Sequence, residues 1–343
     1  MEEKVSVNKQ SIGIDVGKDN FYACYKVKYS DGRVIIKGTK LFTNNRKGFE
    51  DFMIWSNKRN KTQDIELIFL MEATGVYYEE LAYFLYAKEK TVSVQLAQKI
   101  KYFAKSINLK TKTDKVDSKM IAEIAIERDI EKLRRWTPPS KEFKMIRDLA
   151  REHTAMKKAK TVAQSQLHAK LYAHDTLQDV IELKQKQILV YDELIDELEN
   201  KMRELVKKDE ELNEKIRKIE TVKGLGFITI IKVISETNGF ILFKNIRQLV
   251  SYAGLDVVHD ESGSHKGKTK ISKKGNKKIR EALYMPAMTA SRHNKILKTY
   301  YERINEDRTI KKQGTIAVMR KLLILIYTLW KKDEEYIENY QMT

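Results

Sequence analysis

The chain carries no glycine between Gly75 and Gly224, and the only prolines in that interval are the adjacent pair Pro138-Pro139. A β-rich segment of that length would need turns, and turns draw on glycine for left-handed backbone and on proline for a preset φ. The interval is rich instead in Lys, Glu, Leu and Ala, which favour helix. The sequence therefore divides into a glycine-bearing start, a long helical middle interrupted at Trp136-Thr137-Pro138-Pro139, and a glycine-bearing end.

The start reads as alternating strands and helices. Ile12, Ile14 and Val16 alternate, Phe21–Val27 suits a second strand, and Ser30-Asp31-Gly32 supplies a turn into a third, Arg33–Leu41. Asn44 or Asn45 can cap a helix carrying Phe49, Phe52, Met53 and Trp55. Ile65–Met71 is a continuous apolar run, as in a strand buried on both faces. A helix at about Val76–Lys88, a strand at Thr91–Leu96 and helices to about Arg128 complete the order. Three strands in a meander, then helix, strand, helix, strand, helix, is the element order of an α/β RNase H-like domain.

From Lys141 to about Ile219 the chain reads as long helices, with Tyr191, Leu194, Leu198, Met202 and Leu205 spaced like a coiled-coil seam. A helical hairpin folded on its own domain meets the same pattern. Val222-Lys223-Gly224-Leu225-Gly226, before an apolar helix through Ile234, resembles a helix-hairpin-helix whose free amides could hold a phosphate; an ordinary tight turn is the other reading. The expected domains are 1–134, a helical arm at 135–218 and a mainly helical domain at 219–343.

Sixty-six Lys and Arg against 48 Asp and Glu give a net charge of +18, a field that concentrates polyanions, of which nucleic acid is the commonest. Cys24 stands alone, which excludes internal disulfides and cysteine-based zinc sites. Met1–Gln10 has no secretory character, and the longest apolar run, Leu322–Trp330, is too short for a bilayer. A soluble protein of a reducing compartment is expected, with no membrane partner.

Four acids stand out. Asp15 lies among apolar strand residues, where β propensity disfavours it. Glu72 follows the buried strand, and Asp114 and Asp117 share a helix face at i and i+3. In the RNase H-like order the two strands are parallel neighbours, so all four converge. Such a group would repel itself unless cations occupied it, and hard oxygen donors select Mg²⁺ or Mn²⁺. Taken singly, Asp15 could close a turn, Glu72 could cap a helix, and Asp114 and Asp117 could be solvated among lysines.

Five segments in order carry a resemblance over nearly the whole chain: Gly13-Ile14-Asp15-Val16-Gly17-Lys18; Met71-Glu72-Ala73-Thr74-Gly75; Lys112-Thr113-Asp114-Lys115-Val116-Asp117; Leu249–Leu255; and Glu261-Ser262-Gly263 leading to Ile271-Ser272-Lys273-Lys274-Gly275-Asn276 and Arg280. They resemble the insertion-sequence transposases that pair a RuvC-like DEDD domain with a carboxy-terminal serine domain, a family that includes Piv-type DNA invertases and bridge-RNA-guided recombinases. The resemblance implies that Asp15, Glu72, Asp114 and Asp117 hold the metal. It also implies that Ser262 attacks DNA to form a transient phosphoserine; the residues alone do not rank Ser262 above Ser264 or Ser272. Further implications are double-stranded donor and target DNA, a structured guide RNA, a homodimer assembling to a tetramer, and a prokaryotic cytoplasm at the nucleoid.

Between Gly263 and Arg280 lie eight cations and no acid: Lys266, Lys268, Lys270, Lys273, Lys274, Lys277, Lys278 and Arg280. Such a run tracks a phosphate backbone or is a solvated loop. Lys112 and Lys115 flank the acidic pair, and Lys223, Gly224 and Gly226 form the hairpin turn; all are expected nucleic-acid contacts. Two other readings remain: a RuvC-like nuclease with Ser262 idle, and a non-catalytic nucleic-acid scaffold.

Overall fold

The computed structural model describes residues 5–110, 113–129, 131–259, 261–262, 265–267 and 269–337. The chain divides into two compact units, 1–138 and 139–343, at the Pro138-Pro139 step. Among the described residues no helix is long and apolar enough to cross a membrane.

The amino-terminal unit is built on a five-stranded sheet of order β3-β2-β1-β4-β5, comprising β1 (Val7–Val16), β2 (Asn20–Tyr29), β3 (Val34–Thr43), β4 (Leu67–Glu72) and β5 (Thr91–Gln95). The first three strands form an antiparallel meander, and β1, β4 and β5 run parallel. Strand alternation sorts the side chains between two faces. Ile12, Ile14, Phe69 and Met71 point to one face and pack with Phe49, Phe52 and Leu85 of α1 (Arg46–Arg59) and α2 (Glu79–Ala87). Ile68 and Leu70 point to the other, against Ile100 and Phe103 of α3 (Ala97–Ser106) and Ile121 and Ile124 of α4 (Asp114–Glu127). Asn45 caps α1, accepting from the Gly48 amide at 2.9 Å.

Gly13 decides how closely α4 lies on the sheet. A Cβ there would sit 2.1 Å from the Ala122 nitrogen and 2.3 Å from the Ser118 oxygen, both backbone atoms that cannot swing away. Gly13→Ala is expected to destabilise this unit by about 3 kcal/mol, because it overpacks a contact between two rigid elements; urea denaturation measures it.

The second unit begins with an antiparallel helical hairpin, α5 (Lys141–Tyr172) and α6 (Gln178–Lys207). Its buried stripe on α6 is Ile195, Met202 and Val206, whereas Leu194 is 39% exposed, so part of the expected seam faces outward. Ile146 and Ala150 of α5 and Met202 and Val206 of α6 join the same core as α7 (Glu210–Glu220), α8 (Phe227–Glu236), α9 (Ile246–Ala253), α10 (Lys277–His293), α11 (Lys295–Asn305) and α12 (Lys312–Lys332). The arm expected at 135–218 thus shares its core with the helices α8 to α12, and the two build one unit. Between α9 and α10 the chain forms two short ladders, β6 (Val257–Val258) with β9 (Lys270–Ile271) and β7 (Glu261–Ser262) with β8 (His265–Lys266).

Candidate active site

In the first unit the four acids are positioned by two strands and one helix. The parallel register of β1 and β4 pairs Gly13 with Leu70 and Ile14 with Met71, so its next step sets Asp15 beside Glu72. Glu72 is the last residue of β4, not the residue after it, and pairs onward with Gln95 of β5. By alternation Asp15 shares the face of Ser11 and Gly13, and Glu72 that of Ile68 and Leu70, which is the face α4 covers. Both acids are half-buried.

Helix α4 runs antiparallel to β1. Lys9 reaches Arg128 and Asp129, the Ser11 hydroxyl donates to the Ala122 carbonyl at 2.9 Å, and Gly13 abuts Ser118. From Gly13 to Asp15 the strand rises about 7 Å, and from Ser118 back to Asp114 the helix rises about 6 Å. The first turn of α4, with half-buried Asp117 and exposed Asp114, is therefore level with Asp15. Asp114, Asp117, Ser118 and Ile121 fall on one helical face, and Ile121 packs on the sheet. Thr113 caps the helix, accepting from the Val116 amide at 3.3 Å. Carboxylates in a first turn also favour the helix dipole, a structural role that coexists with any other.

Asn44 closes the rim. Its side-chain amide donates to the Gly17 carbonyl at 2.9 Å and to the Tyr77 carbonyl at 3.0 Å, tying the turn after β1 to the loop after Glu72. The strand register and the direction of α4 put the backbone positions of the four acids toward one end of one sheet face. Among the described residues, however, no three acid, histidine or cysteine side chains stand together as a metal-holding group.

In the second unit Ser262 is exposed and is held by backbone pairing with His265. The sequence pattern suggested a basic loop, and among the described residues the structure makes it a projection of two short ladders. Its root is a buried polar network. Glu236, with 6% of its side chain exposed, takes a bidentate bond from Arg151 at 2.7 and 3.0 Å and another from the Asn276 amide at 2.8 Å. Burial alone would raise the Glu236 carboxyl, but the Arg151 and Asn276 donors hold it below the usual carboxylate range. Asn276 also caps α10 through the Lys278 amide at 2.9 Å and donates its own amide to the Tyr252 carbonyl at 2.6 Å. Ser272 donates to Asp256 at 2.5 Å, so its hydroxyl is committed to the root of the projection. Gly275 fits where a Cβ would lie 2.3 Å from the Tyr252 oxygen.

The basic positions separate accordingly. Lys115, Lys270, Lys273, Lys274, Lys277 and Lys278 are exposed. Arg280 donates to the Ala253 carbonyl at 2.8 Å, which makes it part of the network. Gly224 (φ +102°) packs on α10, where a Cβ would meet Ala290 at 2.7 Å, so its glycine serves helix approach. Lys223 and Gly226 are exposed, and Gly226 faces open space. Lys112, Lys268, Gly263 and Ser264, and the side chain of Lys266, lie outside the described residues. Glu236 and Arg151 escaped the sequence reading because they sit 85 positions apart on helices with no shared motif.

Residues 12–174 match a transposase family model of the DEDD, IS110 type, and residues 216–302 match the transposase IS116/IS110/IS902 family. The pilin gene-inverting proteins of Moraxella bovis and Moraxella lacunata are each 29% identical to this chain, over 96% of it and 98% of their own length.

Proposed function

We propose, from the premise that this chain belongs to the IS110-type transposases, that it cuts and rejoins DNA with a carboxylate centre and a serine nucleophile. The observation that supports this most is the step of register that sets Asp15 beside Glu72 under the acidic first turn of α4. The amino-terminal unit is read as RNase H-like, in keeping with the strand order β3-β2-β1-β4-β5 and acids at the ends of the two central parallel strands.

Asp15, Glu72, Asp114 and Asp117 would hold Mg²⁺ or Mn²⁺, which would offset the charge that builds on a phosphate under attack. Ser262 supplies the nucleophile. Its Oγ bonds to phosphorus as one phosphorus–deoxyribose oxygen bond breaks, and the released sugar oxygen takes up the proton that the serine gives up. The phosphoserine retains the ester, so a sugar hydroxyl of the other strand can displace Ser262 and reseal the DNA. An exposed serine on a narrow projection is open to a duplex, and the lysines at Lys270, Lys273 and Lys274 beside its root suit the backbone.

Exchange between donor and target duplexes needs several serines at once, which calls for a homodimer that assembles to a tetramer. A structured guide RNA chooses the sites. The reaction named for the Moraxella relatives, inversion of a gene, is of this cut-and-rejoin class. The test is the protein purified with its RNA and given a plasmid bearing both sites. Recombinant junctions that vanish with a chelator are expected, together with one discrete RNA. Cut but unjoined plasmid would leave a nuclease, and random RNA fragments would remove the guide.

A further inference from the structure

Phe21 and Phe42 pair across β2 and β3, and their rings stack at 5.4 Å in the core beneath α1. Their chain neighbours Tyr22 and Leu41 pair in the same register and, by alternation, point to the opposite face, the one on which α4 lies. Neither joins the apolar core on either side of the sheet: Tyr22 is half-buried and Leu41 is 45% exposed. Core packing does not account for an aromatic and an aliphatic side chain at this place.

A row of cross-strand partners fixes where they stand. Tyr22 lies directly opposite Asp15 in the antiparallel ladder, which puts their Cβ atoms about 5 Å apart on one face. With Glu72 one step of register beyond the Ile14–Met71 pair, the row runs Leu41, Tyr22, Asp15, Glu72 across four adjacent strands. Neighbouring strands are about 4.8 Å apart, so Tyr22 and Leu41 carry the row about 10 Å from Asp15 toward the β3 edge. Helix α4 adds a cation at the same level. Glu123 of α4 pairs with Lys26 of β2, and α4, antiparallel to β1, runs parallel to β2. Two turns back from Glu123, about 12 Å along the helix, is the exposed Lys115; four residues back from Lys26, about 13 Å along the strand, is Tyr22.

We infer that Tyr22, flanked by Leu41, is a stacking platform for the base of the DNA nucleotide next to the phosphate under attack, with Lys115 beside it for the backbone. One nucleotide carries an anionic group for the acid-bound cation and an apolar face for a ring, and the row presents those two partners on adjacent strands. An aromatic ring accepts the face of any base, so the platform holds a strand in place without reading its sequence. A base reaches it only by leaving the duplex stack, which keeps the strand open at the cut. The inference rests on the carboxylate reading above and adds to it a contact with the substrate.

Cleavage by the full chain with its RNA is to be measured on DNA bearing single abasic sites, placed in turn on either side of the mapped cut, for wild type, Tyr22→Ala, Tyr22→Phe and Leu41→Ala. On intact DNA Tyr22→Ala should lose about tenfold in kcat/KM, the scale of one base–aromatic stack, and Leu41→Ala about threefold. Tyr22→Phe should match wild type because the ring is retained. At one flanking position an abasic site should cost wild type about tenfold and Tyr22→Ala nothing further, a coupling that a purely structural tyrosine does not produce. Equal abasic penalties in wild type and Tyr22→Ala at every position, with cleavage still cation-dependent, overturn the platform and leave the carboxylate centre standing. Wild type that does not cut, or cuts without a divalent cation, overturns both. Thermal melting separates a lost contact from unfolding, and Tyr22→Leu, which fills the strand position without a ring, repeats the comparison if the alanine variant melts early.

Discussion

Ser262→Ala is expected to abolish the covalent protein–DNA linkage and to slow strand exchange by at least about 10³-fold, the scale on which loss of a nucleophile is felt. The effect should be chemical and not structural. Ser262 is exposed, its fold contribution is the backbone pairing with His265, and the network holding the projection uses Glu236, Arg151 and Asn276. An exposed substitution away from such features changes stability by no more than about 0.5 kcal/mol. End-labelled DNA trapped on denaturing gels reports the adduct, and melting and binding controls should match wild type. Full strand exchange by Ser262→Ala would remove the serine from the reaction.

Asp15→Asn and Glu72→Gln should each reduce cleavage by about 10²-fold or more, since each removes a charged oxygen donor while keeping shape. Nucleic-acid binding should hold or tighten, because a negative charge has gone from a basic protein. Cation binding is read separately from activity. Saturating Mn²⁺ or Mg²⁺ at 100 times its dissociation constant would stabilise the wild-type unit by about 2.7 kcal/mol, and the variants by much less. The folded pair of strands should survive, since neither acid belongs to the core that Ile12, Ile14, Phe69 and Met71 build. Equal cation stabilisation in wild type and variants would show that the acids at these strand ends hold no metal, and the carboxylate centre would fall.

The two predictions fail independently. Loss of the serine step alone would leave a cation-dependent nuclease, and loss of the acids alone would leave a serine without the charge stabilisation that its reaction needs.

Much of the first unit was legible because its signals are local. The alternation of Ile12, Ile14 and Val16, the Ser30-Asp31-Gly32 turn and the apolar run before Glu72 each specify a strand or turn over a few residues, and the first four strands form around them. The missing glycines from Gly75 to Gly224 likewise foretold helix, and the left-handed residues described in that interval, Glu89, Asn108 and Asp175, each lie just past a helix end. The Pro138-Pro139 step marked the division between units. The chemical types of the candidate site could be listed from the chain alone, because an aspartate in an apolar strand and two acids at helical spacing are anomalies of sequence.

Tertiary structure alone decided what those residues stand beside. Register, which no single strand encodes, set Asp15 against Glu72, and the bare Gly13 let the Asp114 turn come level with them. The Ser272-to-Arg280 stretch read as a run of cations, yet Asn276 and Arg280 turn inward, because Glu236 and the Ala253 carbonyl, distant in sequence, offer buried partners. Local pattern sets which elements form and which groups they carry; solvation and pairing depend on what packs alongside, and that is fixed only when distant segments meet.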